Sequence, residues 1–428
     1  MCLSLRLLPF IFCFSLAAFL PSCSPAQQPQ DPNSPPLVKA YVNEVIVPVV
    51  ARNSHGQAVG DLTKDDFEVF DDGKPQTIAG FMVINRASRK APVNSANPNP
   101  ATNNATAAPQ PDSTGPRFVV FLFDDMNLSA GDLMQAQQAA TKAIDTSLSP
   151  SDVAAVLATS GGNGGLTRDR AKLKQDIMNL RVKNLYRHDA HDCPNVDYYM
   201  GDRIINKNDG QALEAATEEA MTCSQTNIRE IATQMARQAA QRAVALGDQN
   251  FRTNLNFLRD VVSKMGPLPE QHVVILVSPG FLTPTAEAMT LKSEVLDAAA
   301  RANVVINVLD ARGLYTTAMD ASQSGGGSPM STVLQNQYRQ ASMQASSEVM
   351  EDLADGTGGT LFQNNNDLTV GFGNLITGPE FLYFLSFSSA NMKPNGAYHK
   401  LRVKVRQSGL SIQARRGYFA PKPEKTKK

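Results

Sequence analysis

The sequence has no excess of either charge and, after its first twenty residues, no long apolar run. Acidic and basic residues number 40 each, so the formal net charge is zero. No basic stripe with interleaved aromatic residues occurs, as a nucleic-acid surface would require. We therefore predict no nucleic-acid partner and no transmembrane span in the mature chain, and we expect the Lys-rich end, 422–428, to be a solvated basic tail.

The single long apolar run lies at the start of the chain. One arginine precedes Leu7–Leu20 and small residues follow, which is the pattern of a secretory signal peptide. Ser24-Pro25-Ala26 predicts cleavage that removes 1–26. Alternatively, Leu20-Pro21-Ser22-Cys23 resembles a bacterial lipobox, which would attach a lipid anchor to Cys23. Either route predicts export, so we expect a periplasmic, outer-membrane-associated or secreted protein.

Cysteine is scarce, with five in the chain. Two leave with the signal peptide, and if Cys23 leaves as well, Cys193 and Cys223 remain. An even pair in an exported chain indicates one disulfide. Closing a loop of this length would stabilise the fold by about 3–4 kcal/mol on the chain-entropy model. The alternative is two buried free thiols.

Two common catalytic signatures are missing. The glycine-rich loop Gly161–Gly165 lacks the Gly-Lys-Ser/Thr ending of a phosphate-binding loop, and no Gly-x-Ser-x-Gly nucleophile elbow occurs. Ser278-Pro279-Gly280 ends an apolar run, but the proline indicates a turn, and His272 is expected to be structural. The adjacent acids Asp124 and Asp125 should point apart unless their turn is tight, which argues against a glycosidase-type pair. We therefore predict no enzymatic activity, with a hydrolase as the weakest alternative.

A short polar segment gathers potential zinc ligands in His188, His191, Asp192 and Cys193. Imidazole and thiolate at this spacing are zinc-binding groups. No second cluster completes a set of four ligands, and a disulfide would remove the thiolate. The segment is therefore expected to be a polar surface loop.

Alternating β-strands are predicted at both ends of the chain. The N-terminal module, 37–86, contains an Asp-Gly hairpin turn at Asp72-Gly73, and Pro48 in its first strand predicts an edge position. The C-terminal strands, 373–421, need a partner sheet, so we expect them to join the N-terminal strands in a β-sandwich. A linker rich in Asn, Ala, Pro, Ser and Thr, 87–116, separates the N-terminal module from the middle of the chain.

The middle of the chain, 117–372, alternates buried strands with helices. Such alternation predicts an α/β fold with a doubly wound, mainly parallel sheet. The predicted strands are Phe118–Phe123, 152–158, 273–277, 304–309 and 358–362. The predicted helices are 131–146, 168–180 and 286–302. The β-sandwich would therefore be interrupted by the α/β domain.

Two insertions and one long helical pattern complicate this alternation. The first insertion, 185–226, carries both mature cysteines. A helical pattern, 227–264, follows, and Leu246-Gly247-Asp248 is expected to break or kink it. The second insertion, 318–340, is rich in Ser, Gly and Gln and is expected to be poorly ordered. A short helix, 346–354, should follow it.

Polar residues follow the first strand of this α/β domain at once. Asp124 and Asp125 end the apolar run Phe118–Phe123, and Asn127 and Ser129 come next. The carboxyl edge of a parallel sheet is where α/β folds bind ligands. Carboxylate, amide and hydroxyl oxygens are hard donors that suit Mg²⁺ or Mn²⁺. Alternatively, the two carboxylates cap the next helix or bond the loop itself.

This loop resembles the metal-adhesion loop of von Willebrand factor type A domains, whose pattern is Asp-x-Ser-x-Ser after the first strand. Asp125-x-Asn127-x-Ser129 matches it with one replacement. More broadly, the chain resembles the bacterial VWFA-related exported proteins described largely from Acidobacteria. The motifs that carry this resemblance are Leu62-Thr-Lys-Asp-Asp-Phe-Glu-Val-Phe-Asp-Asp-Gly73, Phe121-Leu-Phe-Asp-Asp125, Asp192-Cys-Pro194, Val277-Ser-Pro-Gly-Phe281, Thr357-Gly-Gly359 and Arg416-Gly-Tyr-Phe419. The resemblance implies a von Willebrand type A fold with β additions and no established enzymatic activity.

The match to the metal-binding pattern is incomplete. Where the resemblance implies a later Thr-Asp-Gly, this chain has Ser278-Pro279-Gly280, so a carboxylate ligand is missing. The implied threonine cannot be placed in the sequence. We therefore expect a degenerate Mg²⁺ or Mn²⁺ site of Asp124, Asp125, Asn127, Ser129 and Ser278. The predicted function is an exported protein-binding or adhesion module with a protein or cell-envelope partner, or alternatively a metal-free envelope scaffold.

Overall fold

The structure is a computed structural model that describes residues 44–53, 58–85, 117–162, 164–183, 192–269, 272–314, 329–378, 381–388 and 397–420. The predicted signal peptide, the lipid-anchor candidate Cys23, the predicted linker and the basic tail lie outside these residues, as do His188 and His191. Among the described residues, no helix combines the length and apolar character needed to cross a membrane.

Five parallel strands form the central sheet of a mixed α/β structure. The strands are β5 (Phe118–Phe123), β6 (Val153–Ala158), β7 (His272–Val277), β8 (Val304–Leu309) and β9 (Leu361–Phe362). Their order is β6-β5-β7-β8-β9, and all four pairings are parallel. This is a doubly wound order, whose switch point lies between β5 and β7 because the chain leaves β5 towards β6 and returns on its other side.

Helices cover both faces of this sheet. They are α1 (Ala130–Ser147), α2 (Arg170–Met178), α5 (Arg229–Met265), α6 (Ala286–Ala302), α7 (Pro329–Thr357) and α8 (Leu368–Thr377). Alternate residues of β5 enter two separate cores, because successive side chains of a strand point to opposite faces. Phe121 packs with α1, α2 and α8, whereas Leu122 packs with α5, α6 and α7. Burial on both faces explains the uninterrupted apolar sequence of this strand.

Three sequence-based expectations for the helices are wrong. The pattern at 227–264 was expected to break or kink near Gly247, and a break is excluded because α5 is a single helix of 37 residues. The second insertion was expected to be poorly ordered through 340, yet α7 begins at Pro329. That helix absorbs the predicted short helix 346–354. The sequence patterns also gave no sign of α8.

Gly247 has a packing role in place of the predicted break. A Cβ atom at this position would lie 2.1 Å from the ring of Tyr198. Tyr198 begins α3 (Tyr198–Ile205) and donates a hydrogen bond to Asp248 at 2.7 Å. The glycine is therefore explained by a tertiary contact and not by the end of a helix.

The first insertion contributes two helices to a separate small core. These are α3 and α4 (Gly210–Cys223), each capped by an aspartate whose side chain accepts backbone N–H hydrogen bonds. Alanines of α4 and α5 pack closely here with Met200 and Ile204. Cys193 and Cys223 form a disulfide with Cα atoms 5.8 Å apart, the pairing that the even cysteine count indicates.

Two four-stranded antiparallel sheets join the two ends of the chain. The strands are β1 (Glu44–Arg52), β2 (Phe67–Asp71), β3 (Lys74–Gln76), β4 (Ile78–Asn85), β10 (Phe381–Ser388), β11 (Tyr398–Val405), β12 (Ser411–Ala414) and β13 (Gly417–Phe419). The sheet orders are β12-β1-β10-β4 and β13-β11-β2-β3. Each sheet thus mixes N-terminal and C-terminal strands, and side chains from both sheets share one core.

Of two predictions made from single residues in the N-terminal strands, one is confirmed and one is wrong. Asp72 and Gly73 have φ angles of 46° and 79°, as the two-residue Asp-Gly turn between β2 and β3 requires. Pro48, however, lies in β1, which is an interior strand of its sheet, so the predicted edge position is wrong. The proline is tolerated because β12 pairs with β1 only from Val49 onward, leaving Pro48 with β10 as its one partner.

The contact at Gly247 gives a first testable prediction. Gly247→Ala should destabilise the protein by about 1–3 kcal/mol, since a methyl group must enter space that the Tyr198 ring fills. Urea unfolding measures this change. The matched control is Gly131→Ala in α1, where a Cβ meets only the Ser129 hydroxyl at 3.8 Å and should be neutral or stabilising by up to ~1 kcal/mol. Equal behaviour of the two variants would contradict the packing role.

Candidate functional site

The register of the parallel sheet brings the residues that follow three strands side by side. Phe123 pairs with Ala158 of β6 and with Val277 of β7, so Asp124, Thr159 and Ser278 come next in adjacent strands. The ladder continues for one more residue, because the Asp124 N–H donates to Val277 O and the Thr159 N–H to Phe123 O, both at 2.9 Å. The site is thus built at the carboxyl edge of the sheet, across its switch point.

The Asp124 carboxylate lies at the centre of this edge. Its Oδ2 accepts a hydrogen bond from Ser278 Oγ at 2.7 Å, and Thr159 Oγ1 donates to its Oδ1 at 3.2 Å. Asn127 Nδ2 lies 2.9 and 2.8 Å from the two oxygens. Asp124 has no exposed surface, so protein donors take the place of water at both oxygens.

Asp125 turns towards the same threonine. Thr159 Oγ1 lies 3.1 Å from Asp125 Oδ1, while the N–H and Oγ of Ser160 donate to the two oxygens at 2.9 and 2.5 Å. These two side chains were expected to point apart unless their turn is tight, and that exception applies here. A tight turn brings both within reach of one hydroxyl, with Asn127 N–H and Leu128 N–H both bonded to Asp124 O.

A row of amide side chains connects the turn to α5. Asn250 Nδ2 donates to Asn127 Oδ1 at 2.8 Å, and Asn254 Nδ2 donates to Asn250 Oδ1 at 2.9 Å. The spacing of four residues places both α5 asparagines on one face of that helix. Their bonds fix the amide of Asn127 with its nitrogen towards Asp124. Asn254 Oδ1 is buried and has no partner among the described residues.

The predicted metal ligands are brought together only in part. Asp124, Asn127 and Ser278 are in direct contact, and Asp125 joins them through Thr159. Ser129 does not take part, because its Oγ caps α1 by accepting the Asp132 N–H at 3.1 Å. The sequence analysis missed Thr159, although it follows a predicted strand directly, and it also missed Ser160 and the asparagine pair of α5.

The surroundings of Asp124 raise the pKa of its carboxyl group. Burial raises the pKa of this carboxyl group to about 6 from 3.8, and the charge of Asp125 adds to the rise. Hydrogen bonds from Ser278, Asn127 and Thr159 oppose it. No lysine or arginine of the described part of the chain pairs with either carboxylate. Uncharged hydrogen-bond donors therefore stabilise the two carboxylates at this edge of the sheet.

Ser278 lacks the surroundings of an activated nucleophile. Its hydroxyl is fully buried, donates to Asp124 and accepts the Gly280 N–H at 3.0 Å. Both ring nitrogens of His272 lie near backbone oxygens, those of Ala302 at 2.8 Å and Leu268 at 2.9 Å. This histidine is held at the start of β7, away from the strand end that carries the serine.

A scan against protein-family models finds no matching family, and a search of curated proteins finds no relative.

The raised pKa of Asp124 predicts a defined pH dependence of stability. Because the pKa of Asp124 is higher in the folded than in the unfolded protein, this carboxyl group stabilises the folded state most at pH values below its unfolded-state pKa. That stabilisation is lost as the pH rises through about 6. The free energy of unfolding of the wild type minus that of Asp124→Asn should therefore fall by up to about 3 kcal/mol between about pH 4 and pH 7.

Chemical denaturation across this pH range measures the difference. Asp145→Asn is the control, since Asp145 is exposed and pairs with Lys174 on the surface. The pH dependence found for Asp124→Asn is compared with that of this exposed variant. A flat or rising difference for Asp124→Asn would contradict the assigned direction.

Proposed function

We propose that this chain is an exported, non-enzymatic binding or scaffold protein of the cell envelope, built on a von Willebrand type A-like domain whose strand-edge carboxylates need no metal. The observation that carries the proposal is the saturation of these carboxylates by protein donors. Asp124 and Asp125 are buried, and every one of their oxygens accepts at least one hydrogen bond. A partner's carboxylate would have no open approach to an ion at this edge.

The type A-like identity and the membership of the VWFA-related exported proteins are part of this proposal. A parallel sheet covered by helices on both faces is compatible with that fold. The mixed sheets of N- and C-terminal strands, which share one core, support the expected β-sandwich. In this arrangement the α/β domain is carried between two halves of the sandwich.

Because the carboxylates of the strand-edge loop are buried, a partner would have to bind elsewhere on the surface. The cysteine-containing insertion remains the part of the domain that we assign to a protein or cell-envelope partner. Its helices α3 and α4 pack on α5 through small alanines, and the disulfide ties the two ends of this segment. The part of the insertion between Cys193 and Cys223 is thereby held in one conformation, which suits recognition.

Export is supported by the same disulfide, since such bonds persist in oxidising compartments. The proposal predicts that the mature protein begins at Gln27 after cleavage behind Ser24-Pro25-Ala26. Intact-mass measurement of protein recovered from the envelope and medium of an expressing bacterium tests this. A mature chain that begins with an acylated Cys23 would select the lipoprotein route, and a full-length cytoplasmic product would reject export.

One observation favours a second candidate, an adhesion module that uses Mg²⁺ or Mn²⁺. Two adjacent buried carboxylates share one hydroxyl hydrogen, from Thr159, and no lysine or arginine of the described residues balances them. A divalent ion would supply that positive charge. The oxygens of Asp124, Thr159 and Ser278 are donors of the required kind.

Cation titration separates the two candidates. The metal-free proposal predicts no binding heat with Mg²⁺ by calorimetry and no Mg²⁺-dependent thermal shift, because each ligand oxygen at the strand edge already has a protein donor. The same result is expected for Asp125→Ala. A saturable thermal shift in the wild type that disappears in Asp125→Ala would overturn it in favour of the adhesion module.

Pull-down from envelope extracts provides the matching functional readout. The metal-free proposal predicts partners that stay bound in the presence of a chelator. Chelator-sensitive capture that is also lost in Asp125→Ala would support cation-mediated adhesion.

A further inference from the structure

A second group of ionisable side chains lies outside the parallel sheet, where the β2–β3 hairpin meets β11 and β13. Asp71 ends β2, Asp72 begins the hairpin turn, and His399 lies on β11. Their candidate ligand atoms all lie within 4.8 Å of one another. The register explains this convergence, since Asp71 pairs with Leu401 and His399 pairs with Tyr418 of β13.

We propose that Asp71, Asp72 and His399 form a binding site for a divalent transition-metal ion of the zinc class. One imidazole nitrogen and two carboxylate oxygens are ligands that such ions accept. The metal would replace the hydrogen at Nδ1 of His399, whose remaining proton would then lie on Nε2. The proposal is independent of the function assigned to the strand edge.

The spacing of the three groups fits a metal ion. His399 Nδ1 lies 3.1 Å from Asp71 Oδ1 and 3.4 Å from Asp72 Oδ2. Zinc bound at about 2.0–2.2 Å from each ligand in tetrahedral geometry would separate the ligand atoms by about 3.4 Å. The two distances from His399 are close to this separation, and the ligand atoms of Asp71 and Asp72 lie within 4.8 Å of each other.

Each carboxylate is already oriented by its other oxygen. Tyr418 donates its hydroxyl hydrogen to Asp71 Oδ2 at 2.9 Å, and the Lys400 N–H donates to Asp72 Oδ1 at 2.8 Å. The ring of His399 stacks on that of Tyr418, with centroids 5.0 Å apart and planes 22° from parallel. Such outer hydrogen bonds are typical of metal sites, where they fix the ligands in place.

The charge balance of the group also calls for a cation. Asp71 is buried at 6% exposure, and in the described part of the chain both carboxylates form ion pairs only with His399. Two carboxylates thus converge on one ring nitrogen, which can hold only one hydrogen. A metal ion can bond both carboxylates at once. The side chain of Asp72 is 54% exposed, which gives the ion a path from solvent and leaves a fourth coordination position to water.

Metal binding here would join segments from opposite ends of the chain. Asp71 and His399 are 328 residues apart in sequence, so the ion would fasten the N-terminal hairpin to the C-terminal strands. A ligand that binds only the folded state raises its stability with ligand concentration. Zinc should therefore raise the melting temperature of the whole protein.

The test is a calorimetric and thermal titration of the full mature chain with Zn²⁺, with Co²⁺ as a spectroscopic probe. We expect one equivalent to bind, with a rise in melting temperature and cobalt d–d absorption bands. Asp72→Asn and His399→Gln should each weaken binding by at least about ten-fold, as should Tyr418→Phe through the lost outer hydrogen bond. Asparagine tolerates the positive φ of position 72, so that variant keeps the hairpin.

His191→Gln is the matched control, because it removes an imidazole from the other cluster of potential zinc ligands and should leave this binding unchanged. Urea unfolding without metal shows whether each variant is folded. Absence of a zinc-dependent shift in the wild type would overturn the proposal. Binding that persists in Asp72→Asn and His399→Gln but disappears in His191→Gln would place the metal in the other cluster and would also overturn it.

Discussion

The hydrogen bonds of one buried carboxylate, that of Asp124, hold together the edge of the parallel sheet. Its donors come from the turn after β5, from the residue after β6 and from the residue after β7. A buried carboxylate without donors would be very costly, so these three chain segments must meet whenever the sheet forms. They meet at the switch point, where doubly wound sheets usually leave a crevice for a ligand. Here the direct bond between Asp124 and Ser278 spans that crevice.

Much of the fold could be predicted because its strongest signals are local. The strands β5 and β8 and the helix α6 lie at the predicted residues. Each has a distinct apolar pattern in the sequence, and polar or turn-forming residues mark its ends. The errors lie where a tertiary contact overrules local preference. Glycine is typical of helix ends, but Gly247 lies within α5 and packs against the ring of Tyr198. Proline is typical of edge strands, but Pro48 lies in an interior strand at a position that β12 does not reach.

The residues of the candidate site could also be predicted only in part. Strand-end polar residues are visible in a sequence, which is why Asp124, Asn127 and Ser278 could be named and why Thr159 could have been. Asn250 and Asn254 could not, because nothing local tells which face of a 37-residue helix lies over the sheet edge. Ser129 shows a simpler ambiguity. A serine before a helix has a competing role as its cap, and here it takes that role.

The same tripeptide, Phe-Asp-Asp, occurs at the end of β2 and at the end of β5, and the two copies have different hydrogen-bond donors. At Asp124 and Asp125, hydroxyl, amide and backbone donors reach all four oxygens. At Asp71 and Asp72, one oxygen of each carboxylate has a neutral donor and the other faces the same ring nitrogen of His399. The difference comes from the neighbouring strands and not from the tripeptide. Since those neighbours lie up to 328 residues away, the motif alone does not show which of its oxygens have a protein donor.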